Sequence, residues 1–339
     1  VKAMQLPAYD DLLRAAKIVR QVMPPTPTCT WPLLSERAGA EVWLKHENHS
    51  PVGAFKLRGA MVYLDWLRRE HPRVTGVAAA TRGNYGQGVA RASTHYGVTA
   101  TIVVPHGNSP AKNRAMQALG AELIEHGEDF QSSLEYAAEL AKERGLHMIP
   151  SFHPLLVHGT GTYALEMFED APELEAVYVP IGLGSSICGV MAAKAALELR
   201  TAPGLKAAPR LSTKIVGVVA KASPSYALSF KAGHVVTHPA ETRIADGLAC
   251  RVPNADALEA ILQGVDHIVE VTEGEIAAAM RVLFEDTHNL AEGAGAAAVA
   301  GLLREREAVA GRRVGAVLTG GNVDRETFLA AMEQTGDAA

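Results

Sequence analysis

No stretch of this 339-residue chain approaches the roughly 18–20 apolar residues that a membrane-spanning helix requires, so a helical membrane protein is not expected. Residues 1–20 place Asp10, Asp11, Arg14, Lys17 and Arg20 among their apolar positions, which leaves no secretory core there. Cysteine is scarce. Cys29, Cys188 and Cys250 are widely spaced and odd in number, which excludes a disulfide framework or a metal knuckle and suits a reducing cytosol. Positive charge is not in excess either: 32 basic against 37 acidic residues give −5 with histidines neutral. A dedicated nucleic-acid or anionic-membrane surface would need the opposite balance, so small-molecule partners are expected. The chain shows no repeat of about 20–50 residues and no low-complexity tract.

What is present is an alternation. Short apolar or β-branched runs at 76–80, 100–105, 122–125, 176–180, 214–220 and 314–318 read as buried parallel strands. Longer amphipathic runs at 85–96, 110–119, 132–144, 187–199 and 274–286 read as the helices between them. Such alternation predicts an α/β fold with mostly parallel sheets covered on both faces, and the length predicts two lobes. Pro24, Pro25, Thr26 and Pro27 form a loop, residues 202–209 a surface loop, and the small-residue segment 292–303 a helix packed closely on a sheet. In such sheets ligands bind beyond the carboxyl ends of the strands, in the turns that open helices.

Four segments there carry chemistry. Lys56 follows a Gly53-Ala54-Phe55 turn and opens a helical run. An ammonium opposes the positive end of the helix dipole, so the amine form is favoured and could capture a carbonyl, although position alone fits a surface lysine as well. Three glycine-rich turns follow strands: Thr81-Arg82-Gly83-Asn84-Tyr85-Gly86-Gln87-Gly88, Gly182-Leu183-Gly184-Ser185-Ser186, and Thr319-Gly320-Gly321-Asn322. Amides freed at such turns bind anions. One such turn is weak evidence, since αβ loops use glycine for geometry alone; three with the lysine form a specific set.

Together these motifs resemble the threonine dehydratase and serine racemase family of pyridoxal-phosphate enzymes, fold type II, from about Pro27 to Asp324. The resemblance implies a two-lobed tryptophan synthase β-like α/β fold, with residues 1–75 and 154–339 in a large cofactor-binding domain and 76–153 in a small mobile one. It makes Lys56 the Schiff-base lysine for pyridoxal 5'-phosphate, with Phe55 beside the ring, Asn84 on the ring's phenolic oxygen, and Thr319 facing the pyridine nitrogen. Gly182, Leu183, Gly184, Ser185 and Ser186 would cradle the phosphate, and Glu292 would be the acid near the ring nitrogen. Thr81, Gly83, Asn84 and Tyr85 would hold the substrate carboxylate, with Asp246 and Gly247 in an active-site loop. The implied activity is a lyase releasing a 2-oxo acid and ammonia from a β-hydroxy amino acid such as L-threonine or L-serine. A homodimer is implied too. Other substrates, 3-hydroxyaspartate or a hydroxyectoine-derived amino acid, fit a subgroup carrying Arg82 and Tyr85, and racemase or β-replacement chemistry is the remaining alternative.

The chain also departs from that pattern. Arg82 stands where racemases carry a serine base, and a guanidinium stays protonated, which demotes racemisation. Ala220 and Tyr226 stand where relatives carry two carboxylate ligands of a divalent cation, so no metal is expected there. Tyr85 replaces a common histidine, and Leu183, Ser185 and Ser186 replace part of a glycine run. Only residues 322–339 follow the last turn, too few for a regulatory domain, so isoleucine feedback is not expected. The turn at Gly182 lacks the third glycine of a dinucleotide fingerprint, His46-Glu47-Asn48-His49 lacks zinc-helix spacing, and Cys188 breaks a nucleophile-elbow pattern around Ser186.

Overall fold

The computed structural model describes residues 4–199 and 212–334. The predicted loop at 202–209 lies outside the described residues. Ten strands form two sheets. Six of them, β1 (Thr28–Thr30), β2 (Glu41–His46), β7 (Ala176–Pro180), β8 (Lys214–Ala220), β9 (His267–Val271) and β10 (Arg313–Leu318), are ordered β1-β2-β10-β7-β8-β9. Only β1 runs antiparallel to its neighbour. The other four, β3 (Gly76–Ala80), β4 (Thr99–Val104), β5 (Ala121–Glu125) and β6 (His147–Met148), form an all-parallel sheet ordered β5-β4-β3-β6.

Every residue of β3 and β7 is buried, as a strand covered by helices on both faces must be. The small sheet is flanked by α4 (Asn84–Tyr96), α5 (Pro110–Ala118) and α6 (Phe130–Arg144). The α6 helix starts two residues before the predicted 132 because Asp129 and Ser132 close a capping box, with Asp129 Oδ1 accepting from the Ser132 amide at 2.8 Å. The remaining helices are α1 (Tyr9–Val19), α2 (Pro32–Ala38), α3 (Lys56–Glu70), α7 (Pro154–Asp170), α8 (Ser185–Leu199), α9 (Ser225–Ala232), α10 (Ala255–Gly264), α11 (Glu273–Thr287), α12 (Gly293–Arg304) and α13 (Arg325–Glu333), of which α3 shares a core with β3 and β4. The predicted small-residue helix is α12. Ten of its residues are buried, and Gly295 faces the Gly320 carbonyl so closely that a Cβ would have no room. Among the described residues no helix is long and apolar enough to cross a membrane.

The predicted strands at 76–80, 176–180 and 214–220 coincide with β3, β7 and β8. The residues that follow β3, β7 and β10 line one cleft. The chemistry-bearing turns converge there.

Candidate active site

The loop before Lys56 is shaped by Ser50, whose Oγ donates to the Ala54 carbonyl at 2.7 Å and accepts from the Ala54 amide at 2.9 Å. Phe55 N–H donates to the Thr319 carbonyl at 3.1 Å and Gly321 N–H to Gly53 at 2.9 Å, so the lysine turn is stitched to the turn after β10. Asn322 Nδ2 extends the seam, donating to the Val52 carbonyl at 2.8 Å and to Asn84 Oδ1 at 2.9 Å. Asn84 in turn donates through Nδ2 to Glu292 Oε1. Four segments far apart in sequence are thus joined around one cleft of about 1010 Å³, counting its open mouth.

That cleft is lined by every residue to which the family resemblance gives a cofactor or substrate role: Phe55, Lys56, Thr81, Gly83, Asn84, Tyr85, Gly182, Leu183, Gly184, Ser185, Ser186, Asp246, Gly247, Glu292 and Thr319. Arg82 also lines it and is exposed. Lys56 is the first residue of α3, and its Nζ lies 4.6 Å from the Phe55 ring centroid. Burial lowers its pKa to about 8, against the pull of the Glu292 carboxylate. Burial, rather than the helix dipole, is therefore the main reason the amine is available.

The turn after β7 suits an anion. Gly184 sits at φ +99°, a left-handed conformation that an L side chain rarely adopts, and the amides of residues 182–186 donate to no group among the described residues. Behind it, Thr160 Oγ1 donates to the Ser185 carbonyl at 2.6 Å, and Ser186 Oγ shares a 2.6 Å hydrogen bond with the Tyr163 hydroxyl. In the turn after β3, Thr81 Oγ1 accepts from the Gly83 amide at 2.9 Å, which leaves its own hydrogen free to donate. Tyr85 differs: its hydroxyl donates to the Pro150 carbonyl at 2.7 Å, so only its amide and ring remain for a ligand.

Glu292, just before α12, is buried, and burial raises its pKa while Lys112 works the other way. Its Oε2 makes no well-aligned hydrogen bond and faces only the Lys112 ammonium, at 3.4 Å. Lys112 is the residue that the sequence reading missed. Its Nζ lies 2.8 Å from Asp246 Oδ2 and 3.4 Å from Glu292 Oε2; burial opposes its charge, but the two carboxylates outweigh that and raise its pKa. A signal existed, because Lys112 is a cation in the first turn of a helix, the same anomaly that marks Lys56. Phe130 and Ser151 line the cleft as well and carried no signal.

Beneath α3 lies a second polar assembly. Arg58, fully buried, holds Glu47 Oε2 at 2.7 Å through Nε and Glu166 Oε2 at 2.8 Å through Nη2. Buried Lys45 reaches Glu166 Oε2 at 2.8 Å and the Thr26 carbonyl at 2.8 Å. Glu47 belongs to the tetrapeptide that fails as a zinc motif; it lies in a 3-10 turn and serves Arg58.

Comparison with known proteins places these features in context. A family model described as "Pyridoxal-phosphate dependent enzyme" matches residues 19–320. The chain is 35% identical over 316 residues to the L-threonine ammonia-lyase of Thermotoga maritima, covering 93% of this chain and 75% of that protein. It is 33% identical over 326 residues to the L-threo-3-hydroxyaspartate ammonia-lyase of Saccharomyces cerevisiae, covering 96% of each. The solved structure of the processed form of threonine deaminase isoform 2 from Solanum lycopersicum superposes with a TM-score of 0.85 at 28% identity, over 99% of each chain.

Proposed function

Since the chain belongs to the family of pyridoxal-phosphate dependent enzymes, we propose that it is an ammonia-lyase that converts a β-hydroxy amino acid, L-threonine or L-serine, into a 2-oxo acid and ammonia. The observation that carries this reading is Lys56: a half-buried amine of lowered pKa, set among three strand-to-helix turns that line the same cleft.

The residues fit the cofactor. Lys56 Nζ would hold its aldehyde carbon, the 182–186 amides its phosphate, and Thr319 Oγ1, which now makes only a 3.3 Å bond to the Ala294 carbonyl, its ring nitrogen. Phe55 would sit beside the ring and Asn84 near its phenolic oxygen. When bound, the cofactor would supply an aldehyde for the substrate amine and an electron sink for Cα. Lys56 Nζ accepts the Cα proton, a task suited to an amine that is neutral in a large fraction of molecules near pH 8. Thr319 presents a neutral hydroxyl, which does not hold a proton on the ring nitrogen as a carboxylate would, and this favours loss of the β-substituent. Thr81 and the amides of Gly83, Asn84 and Tyr85 orient the substrate carboxylate, while the Lys112–Asp246 ion pair closes the cleft from the side of α5. The β-hydroxyl leaves as water, and hydrolysis of the released product gives the 2-oxo acid and ammonia.

In this reading residues 76–153 form a small domain that meets the large one across the cleft, the chain works in the cytoplasm, and two copies form a homodimer. Exposed Leu33, Phe284 and Leu329, on α2, α11 and α13, the first and last of which pack on α11, support the last point by offering apolar side chains.

Purified protein assayed with L-threonine, L-serine and L-threo-3-hydroxyaspartate should release 2-oxo acid and ammonia in equal amounts from at least one. Release from none would overturn the reading. Two further outcomes follow from the site. Capture of the cofactor by the apoprotein needs neutral Lys56, so its rate should rise about tenfold per pH unit below about 8 and level off above it. Stopped-flow absorbance checks the inflection, which should lie far below the usual lysine range. With Ala220 and Tyr226 offering no carboxylate, prior treatment with EDTA should leave turnover unchanged; a loss reversed by Mg²⁺ would contradict this.

A further inference from the structure

We propose that the buried hydroxyl of Tyr226 pins the 182–186 turn in its anion-binding shape, which makes Tyr226 a positioning residue for the cofactor's phosphate. The inference rests on the cofactor reading above.

Tyr226 is the second residue of α9, and only 1% of its surface is exposed. Its Oη donates to the Leu183 carbonyl at 3.0 Å and accepts from the Asn254 amide at 3.1 Å. The hydroxyl therefore ties three elements together: the turn after β7, the start of α9, and the residue that caps α10. A trans peptide points its C=O and N–H in opposite senses. With the Leu183 carbonyl turned back toward Tyr226, the Gly184 N–H is aimed away from it, and that amide has no partner among the described residues. The left-handed φ of +99° at Gly184 belongs to the same constraint, because a Cβ there would stand 3.2 Å from Tyr226 Oη and 2.6 Å from Ala257 Cβ. Tyr226 and α10 press on the turn from behind.

The hydroxyl is a permanent donor. Burial, with Cys250 nearby, raises its pKa well above the usual phenol range, so it keeps its proton at any working pH. The same anchor reaches the loop at Asp246. Ser223 Oγ donates to the Leu248 carbonyl at 3.0 Å, and Ser225 Oγ to the Cys250 carbonyl at 2.5 Å. Ala220, six residues before Tyr226, contributes only a buried methyl group, so the turn is fixed here by a side-chain hydrogen bond.

The test titrates apoprotein with pyridoxal phosphate and, separately, with pyridoxal, which has the aldehyde but no phosphate. Wild-type protein that captures neither would fail the cofactor reading itself, before any variant is made. If wild type binds, Tyr226→Phe, which loses the bonds to the Leu183 carbonyl and the Asn254 amide, should bind pyridoxal phosphate about tenfold more weakly, and pyridoxal as well as wild type does. Tyr226→His, which keeps a ring donor, should fall between the two. General damage to the fold would weaken both ligands alike, and that result, like an unchanged pyridoxal phosphate affinity in Tyr226→Phe, would overturn the proposal. If Tyr226→Phe does not fold, Tyr226→His decides by the same comparison of the two ligands.

Discussion

Replacing Lys56 with alanine is expected to lower turnover by at least about 1,000-fold, because the variant loses both the nucleophile that captures the cofactor and the base that takes the Cα proton. The effect should be visible before any assay. Wild-type protein with pyridoxal phosphate should show an absorbance band near about 415 nm, and the variant should lack it, since no side-chain amine remains to form the bond. Among the described residues Lys112 is the one other lysine lining the cleft, and its ammonium is held by Asp246 at 2.8 Å with its pKa raised, so it stays charged and is a poor nucleophile. Lys45, though its pKa is lowered by burial, lies in the network with Glu166 beneath α3. A small external amine added to Lys56→Ala should restore part of the proton transfer but not the tether. A variant that keeps the band and more than about a tenth of wild-type turnover would remove Lys56 from the mechanism.

The residues that could be read from the sequence share a local signature. Strands β3 and β7 are apolar along their length because both faces are covered, and each ends at a turn whose residues line the cleft within a few positions of the strand. Lys56 follows the same logic, with its motif and its helix start adjacent. Elements without a local signature were missed. The α7 helix is buried nearly all round, with Gly159, Thr160, Gly161 and Thr162 in sequence, so it shows no apolar stripe of period 3.6. In β2 the apolar run is only Val42-Trp43-Leu44 and ends in the polar Lys45 and His46, whose burial makes sense only once Glu166 and Trp31 are beside them. Lys112 meets Asp246 across 134 positions of sequence, and Arg58 meets Glu166 across 108. Such pairings depend on the folded path, and no single local window contains both partners.

The Arg58 network should carry the largest effect on stability. Arg58→Leu leaves Glu47, Glu166 and Lys45 buried with two acids for one base, and Arg20, at 3.1 Å from Glu166, is a partly exposed substitute. Breaking a buried ion pair from one side costs about 3–5 kcal/mol, because the orphaned carboxylate cannot recover its hydration. The pH dependence follows from Glu166. Burial pushes its pKa up, but Arg58 and Lys45 outweigh that and hold it below the usual glutamate value. A folded-state pKa below the unfolded one contributes stability that is present above the unfolded value and is lost as pH falls through the folded one. Without Arg58, burial works against fewer cations, so the buried carboxyls take a proton more readily and acid relieves part of the strain. Urea unfolding of wild type and variant should therefore show the gap shrinking from about 3–5 kcal/mol near pH 7.5 to a smaller value near pH 5. Arg58→Lys should recover only part of the loss, since an ammonium cannot bridge both carboxylates as the guanidinium does. A gap that stays constant with pH, or falls below about 1 kcal/mol at neutral pH, would mean that these charges are not the source of the stability attributed to them.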